Sequence, residues 1–123
     1  MRFLLFLLLL LPTIAPAHEM TPTFFEFRPS LYNNVYVTEM SFFNRREDAK
    51  FYEIGVYDKD FNPVSFATAD RIFPSKMHSR STISIYIRKK DLDDVVYICT
   101  ESKLLKGEVD STGITSRICS KKK

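Results

Sequence analysis

Apolar and polar side chains alternate along several short stretches of the chain, which is the pattern of half-buried β-strands. In the clearest stretch, 81–89, Ile83, Ile85 and Ile87 fall on one face and more polar side chains fall on the other. Asp, Asn and Pro residues interrupt the alternating stretches and favour chain reversal. We predict strands over 24–29, 35–44, 50–60, 63–68, 81–89, 94–101 and 113–120, and a helical turn within 101–109.

About seven short strands separated by turn residues, in a chain of this length, are typical of an immunoglobulin-like β-sandwich. Phenylalanine supplies much of the bulk that a core between two sheets requires. The candidates are Phe24, Phe25, Phe27, Phe42, Phe43, Phe51 and Phe61. We therefore predict an all-β, immunoglobulin-like sandwich that forms a single domain.

The N-terminal segment has a different composition. Arg2 precedes an apolar run from Phe3 to about Leu11, and small residues follow up to Ala17. The run is shorter than the ~20 residues that a membrane span needs, and the small residues match a signal-peptidase site. We predict a signal peptide over 1–17, cleaved near Ala17, and a mature domain over 18–123 without a membrane span. The protein is then exported, either to the periplasm or to the medium.

The charge pattern argues against nucleic acid as a partner. The chain has 18 Lys and Arg against 15 Asp and Glu, and basic pairs are followed at once by acids, as in RRED and RKKDLDD. Interleaved charges indicate a solvated surface rather than a phosphate-binding stripe. The sequence also contains no recognisable Ser/His/Asp arrangement, carboxylate pair or phosphate loop. We expect a non-enzymatic role without a cofactor.

The chain has two cysteines, Cys99 and Cys119, which in an exported protein most simply form a disulfide. A zinc site would need further Cys or His ligands close in sequence, a redox pair usually has C-x-x-C spacing, and a catalytic Cys needs a His base. Neither cysteine has a Cys or His within five positions. We predict a structural Cys99–Cys119 bridge.

A bridge between antiparallel strands would fix a register that can be checked pair by pair. If the two cysteines face each other, Glu101 faces Arg117 and Tyr97 faces Lys121. An acid opposite a base and an aromatic ring opposite a lysine stem are favourable cross-strand pairs. A bridge that closes a loop of about 20 residues contributes ~3 kcal/mol to stability in the chain-entropy account.

The stretch DDVVYIC, 93–99, is similar to the D-x-A-x-Y-x-C pattern of immunoglobulin variable domains, where the Tyr forms the tyrosine corner. The candidate second strand has no Cys, however, and the chain has no Trp. We therefore do not expect the inter-sheet disulfide of that family.

The chain also resembles the N-terminal domain of periplasmic pilus-assembly chaperones, the PapD-like family. Arg28 follows FFEF, Asn44 ends EMSFFN, and RIFPSKMHSRSTISIYI is similar to the Pro-containing lead into a strongly alternating strand in that family. The resemblance extends from Phe24 to about Cys119. The chaperones have a second sandwich domain, whereas this sequence ends at the equivalent of the last strand, so we expect a single PapD-like domain.

This resemblance implies binding through a sheet edge to another exported protein or to a larger assembly. In the family an Arg and a Lys hold the partner's C-terminal carboxylate through charge-assisted hydrogen bonds. By position these residues would be Arg28 and Lys121. The binding edge would be the last strand, with Ile114 and Ile118 as its apolar side chains. We expect these four residues to contact the partner.

An alternative function is copper binding. Cleavage after Ala17 would make His18 the N-terminal residue, and an N-terminal His can bind copper through its amine and its imidazole. Some exported copper-binding β-sandwiches use this arrangement together with a second His, for which His78 is the candidate. The alternative is therefore a small exported copper-binding β-sandwich.

Overall fold

The computed structural model describes residues 18–104 and 115–123 of the chain. These residues form nine strands and one 3-10 helix. The strands are β1 (Glu19–Thr21), β2 (Phe24–Phe25), β3 (Arg28–Pro29), β4 (Val35–Phe43), β5 (Phe51–Tyr57), β6 (Ile72–Pro74), β7 (Arg80–Arg88), β8 (Tyr97–Lys103) and β9 (Arg117–Lys122); the helix, Lys89–Asp94, lies between β7 and β8.

The strands form two sheets. In the first sheet, β7 pairs antiparallel with β4 along its whole length, while β1 and β3 pair with opposite ends of the other side of β4. The second sheet has the order β2-β9-β8-β5-β6, in which β2 runs parallel to β9 and the other neighbours are antiparallel. The predicted all-β immunoglobulin-like sandwich is confirmed.

The core lies between the sheets because alternation turns one row of side chains from each long strand inward. In β7 the inward row is Ile83, Ile85 and Ile87, as the sequence predicted. Burying a side chain of this size contributes about 1.5–3 kcal/mol. The inward rows of the other long strands include Met40 and Phe42 of β4, Tyr52, Ile54 and Val56 of β5, and Ile98 of β8.

The N-terminal strand prediction was wrong in detail. The stretch 24–29 is not one strand but two, because β2 pairs with β9 in the second sheet and β3 pairs with β4 in the first. A single extended segment cannot join both sheets. Phe24 consequently faces outward and is 57% exposed, whereas its neighbour Phe25 is buried.

Other short elements also differ from the predictions. The stretch 63–68 forms isolated bridges at Pro63 and Ala67 instead of a strand, and Pro63 has no N–H to donate to a ladder. The expected helical turn is wrong for residues 101–103, which extend β8, and residues 105–109 lie outside the described residues. The two three-residue strands β1 and β6 and the 3-10 helix were not predicted. In residues 18–104 and 115–123 no helix is long and apolar enough to cross a membrane.

Candidate protein-binding edge

The hairpin of β8 and β9 has the predicted register. Cys99 and Cys119 face each other and are joined by a disulfide, with their Cα atoms 4.0 Å apart. The other predicted pairs are also present: Tyr97 with Lys121 and Glu101 with Arg117. The bridge ties the last strand of the chain to β8, in the interior of the second sheet.

The backbone hydrogen bonds of β9 define which of its groups point outward. The carbonyl of Ser116 accepts a bond from β8, and the N–H of Lys122 donates to the residue before β8. Because directions alternate along an antiparallel strand, the N–H and C=O of Arg117 and Cys119 point away from β8. They form no backbone hydrogen bond on that side within the described part of the chain. We call these outward groups of Arg117 and Cys119 the β9 edge.

The β9 edge is bounded at its far end by β2. Strand β2 pairs with Lys121 and Lys122, and the N–H of Lys121 donates to the carbonyl of Thr23 over 3.0 Å. The next outward residue towards the start of β9, Cys119, forms no such backbone hydrogen bond in the described part of the chain, although β1 packs close to β9. The edge is therefore short. It lies on the same side of β9 as β2, next to the start of that strand.

A buried hydrogen-bonded chain fixes the start of β9. His18 is 1% exposed, with Nδ1 3.1 Å from Ser116 Oγ and Nε2 3.2 Å from the carbonyl of Thr100. Since a carbonyl can only accept, Nε2 carries the hydrogen, and Nδ1 accepts from the hydroxyl of Ser116. Burial lowers the pKa of His18 to about 4, which keeps the ring neutral at neutral pH. The imidazole thus joins β8 to the residue that precedes β9.

Arg46 completes this chain from the loop after β4. Its Nε and Nη2 lie 2.9 and 2.6 Å from the two carboxylate oxygens of Asp48, a bidentate pair. Its Nη1 donates to the hydroxyls of Ser102 and Ser116, over 3.3 and 3.2 Å. The carboxylate of Asp48 raises the pKa of Arg46, whose side chain is 7% exposed. Arg46 is therefore a buried cation, paired with Asp48, that hydrogen-bonds to side chains at the junction of β8 and β9.

Asn44 shapes the loop that carries Arg46. Its Oδ1 accepts hydrogen bonds from the Tyr52 hydroxyl and the Arg46 N–H, over 2.7 and 2.8 Å. Its Nδ2 donates to the carbonyls of Ala49 and Ser75. Burial raises the pKa of Tyr52 to about 12, so the phenol remains a donor. We call Asn44, Arg46, Asp48, His18 and Ser116 the buried polar cluster.

Sequence reasoning missed most of this cluster. The stretch RRED was interpreted as solvated charge, but Arg46 is buried and only Arg45 and Glu47 are exposed. The available signal was the position of the stretch directly after a strand that ends in Asn. That signal does not distinguish a buried arginine from an exposed one, because burial depends on the packing of β8 and β9 over the loop.

The outer face of the second sheet carries an aromatic–arginine cluster next to the β9 edge. The guanidinium carbon of Arg117 lies 4.8 Å from the ring centroid of Tyr57 and 5.3 Å from that of Phe61. Phe61 in turn stacks on Tyr97 with centroids 4.4 Å apart. Strand β5, which carries Tyr57, lies on the opposite side of β9 from the edge. The Arg117 side chain is therefore drawn away from the edge.

The four residues expected to contact a partner lie in different places. Arg28 is on β3 in the first sheet, 3.6 Å from Glu39, whereas Lys121 is on β9 in the second sheet. The structure therefore does not bring these two cations together on one sheet. Ile118 is partly buried and packs against the core, and Ile114 lies outside the described residues. A role in partner binding stays a prediction for all four.

The two histidines proposed for copper lie on opposite faces of the first sheet. The His18 ring contacts Phe42, and the His78 ring stacks on Phe43. Neighbouring residues of a strand point to opposite faces, so the two imidazoles are separated by the sheet. In the described part of the chain, no group of three or more His, Cys, Asp and Glu side chains could hold a metal. Copper binding through His18 stays a prediction that the arrangement of His78 does not support.

Comparison with known proteins supports the fold. No family model matches the sequence, and no curated protein matches it. Among solved structures, the crystal structure of the E. coli chaperone DraB is similar, with a TM-score of 0.64 and 15% sequence identity. The match covers 87% of this chain and 53% of that chain, so this chain spans about half the length of DraB. At this identity the likeness shows a shared fold.

Proposed function

We propose that this chain is an exported, non-enzymatic binding module that contacts another exported protein through the β9 edge. The observation that carries the proposal is the pair of outward N–H and C=O groups at Arg117 and Cys119, which have no backbone partner in the described part of the chain. Unpaired groups on a sheet edge are a template for an added strand. The likeness to the chaperone DraB supports a protein-binding role at the level of the fold.

Two features suit this edge for binding. The disulfide and the buried polar cluster hold β9 in place before any partner arrives, and preorganisation reduces the entropy lost on binding. The disulfide also agrees with an oxidising compartment, as export would provide. Lys121 lies at the β2 end of the edge, where its ammonium could hold a carboxylate of the added strand.

The proposal is tested by Arg117→Pro with Arg117→Ala as the matched control. Because the N–H of Arg117 points outward, proline removes a donor from the edge without removing a β8–β9 bond. Both variants remove the guanidinium, so they differ at the backbone, where proline lacks the donor and fixes φ. A partner captured by the wild type from the exported proteins of the source, and then purified, should bind Arg117→Ala and lose at least tenfold in affinity for Arg117→Pro.

Folding of each variant is checked by the thermal unfolding midpoint. Equal affinity of a folded Arg117→Pro variant and of Arg117→Ala would contradict binding at the β9 edge. If both variants lose the same affinity for the partner, the partner contacts the aromatic–arginine cluster rather than the backbone of the β9 edge.

A further inference from the structure

The outer side of β7 is a second unpaired edge, on the first sheet. Tyr86 exchanges two backbone hydrogen bonds with Ala67, each 2.9 Å long, on the side away from β4. By alternation, the backbone groups of Arg80, Thr82 and Ser84 point to the same side. None of the three has a backbone partner there in the described part of the chain. We call this stretch, Arg80–Ser84, the β7 edge.

A groove of about 490 Å³ runs along this edge, between β7 and the chain segment 68–74. Phe73, Pro74 and Ile83 give it an apolar wall. Thr68 also lines the groove, and its Oγ1 is buried without a hydrogen-bond partner among the described residues. Buried hydroxyls are normally satisfied, so this unpartnered Oγ1 sets the wall of the groove apart from an ordinary packed surface.

We propose that the β7 edge joins two copies of this chain, through antiparallel pairing of β7 with β7 about a two-fold axis at Thr82. Thr82 then faces the second copy's Thr82, and Arg80 faces the second copy's Ser84. All three outward residues of each copy become hydrogen-bonded pairs. The bridge from Tyr86 to Ala67 blocks the edge beyond Ser84, so this register uses the whole free stretch.

Side-chain chemistry favours a second copy as the occupant. Like charges do not oppose each other, because Arg80 faces a serine, and a cross-strand Thr–Thr pair is favourable. Asp70 and Ser84 line the same groove, so the second copy's Arg80, placed opposite Ser84, would lie at the groove that Asp70 lines. The charges are therefore complementary at both ends of the pairing. An isologous contact of this kind closes as a dimer.

The register is tested by single cysteine variants, since both native cysteines are consumed in the intramolecular disulfide. Directly opposed residues of a hydrogen-bonded pair have Cα atoms about 5.5 Å apart, which a disulfide can span. Under oxidising conditions Thr82→Cys should form a covalent dimer. Ser84→Cys is the matched control, because its two copies would lie four residues apart along the strands, about 13 Å. It should form at least tenfold less covalent dimer.

Sedimentation equilibrium tests the association itself. The wild type should dimerise with rising concentration, Thr82→Val should weaken association only slightly, because it loses the hydroxyl of the Thr–Thr pair but keeps the backbone, and Thr82→Pro should weaken association at least tenfold. The N–H that proline removes at Thr82 points away from β4, so no hydrogen bond of the β4–β7 ladder is lost. A wild type that remains monomeric at millimolar concentration, or a dimer that Thr82→Pro leaves unchanged, would overturn the proposal. A monomer that instead binds a strand of another protein at this edge would overturn it as well.

Discussion

At the scale of the residue, His18 illustrates what a sequence conveys about a side chain and what it does not. Its place directly after the expected cleavage site made it a candidate ligand, and its chemistry as a hydrogen-bonding ring was evident. Its burial against Phe42 and Tyr52 depends on two strands distant in sequence, β4 and β5. The sequence could therefore single out His18 as a candidate functional residue. In the structure, however, the ring is a buried hydrogen-bonding link between Thr100 and Ser116.

We expect the burial of His18 to make stability depend on pH. The pKa is about 4 in the folded state against an ordinary value of 6.5, so the unfolded chain binds a proton that the folded chain excludes. Stability is then lost as pH falls from about 6.5 towards 4 and is unaffected by this group above that range. One pKa unit corresponds to about 1.4 kcal/mol, so the loss is about 2–3 kcal/mol at about pH 4.5. Urea unfolding at neutral and acidic pH measures it.

The contribution of His18 is isolated with two variants. His18→Gln keeps a polar side chain that does not titrate, and the difference between its pH profile and that of the wild type should equal the expected loss. His78→Gln, at an exposed position, is the matched control for the removal of a histidine. Parallel profiles of His18→Gln and the wild type between neutral pH and about pH 4.5 would show that His18 does not titrate as proposed.

At the scale of the element, strands with a long alternating pattern were predictable and short or divided ones were not. In β7 three isoleucines at every second position sufficed, because each contributes to one buried row. Strands β1 and β6 have three residues each, which is too short for alternation to be distinguished from chance. The division between β2 and β3 depends on pairing with β9 and β4, which no local pattern records.

The β8–β9 hairpin could be predicted in register because its pairs are chemically specific. We expect the free energy of unfolding of the Cys99→Ser, Cys119→Ser double variant to be about 3 kcal/mol lower than that of the wild type. The physical reason is that the bridge restricts the unfolded chain between two residues 20 positions apart. Urea unfolding of the oxidised wild type and the double variant measures the difference.

Chemical reduction of the wild type supplies the control for this prediction. The reduced protein should have the same unfolding free energy as the double variant, because both lack the bridge and retain the remaining contacts. If the double variant matches the oxidised wild type, the bridge does not stabilise the fold. If only the variant is destabilised, the serine hydroxyls rather than the missing bridge cause the effect.

At the scale of the whole molecule, the two proposed contacts use edges of different sheets. The β9 edge belongs to the second sheet and the β7 edge to the first, so a dimer through β7 leaves β9 available to another protein. Evidence against one proposal would therefore leave the other unaffected. The number and spacing of the alternating stretches could predict two sheets. They could not identify the free edges of those sheets, because an edge is defined by the backbone pairs that are not formed.

Amide hydrogen exchange tests the β9 edge without a partner. The N–H groups of Arg117 and Cys119 point outward and should exchange rapidly, whereas those of Ile118 and Ser120 point towards β8 and should be protected. A two-residue alternation of this kind arises only when one side of a strand is unpaired. Exchange measured by NMR at each amide gives the pattern directly, and partner binding should slow Arg117 and Cys119 while leaving Ile118 and Ser120 unchanged.

The amides of β4 provide an internal reference for this experiment, because β4 has neighbours on both sides near Ser41–Phe43. All amides of that stretch should be protected, without alternation. Uniform protection of Arg117 to Ser120 in the isolated protein would mean that the β9 edge is already covered, and strand addition there would then require displacement of whatever covers it. Uniformly rapid exchange would instead mean that β9 is frayed despite the disulfide, and the edge would not be preorganised for binding.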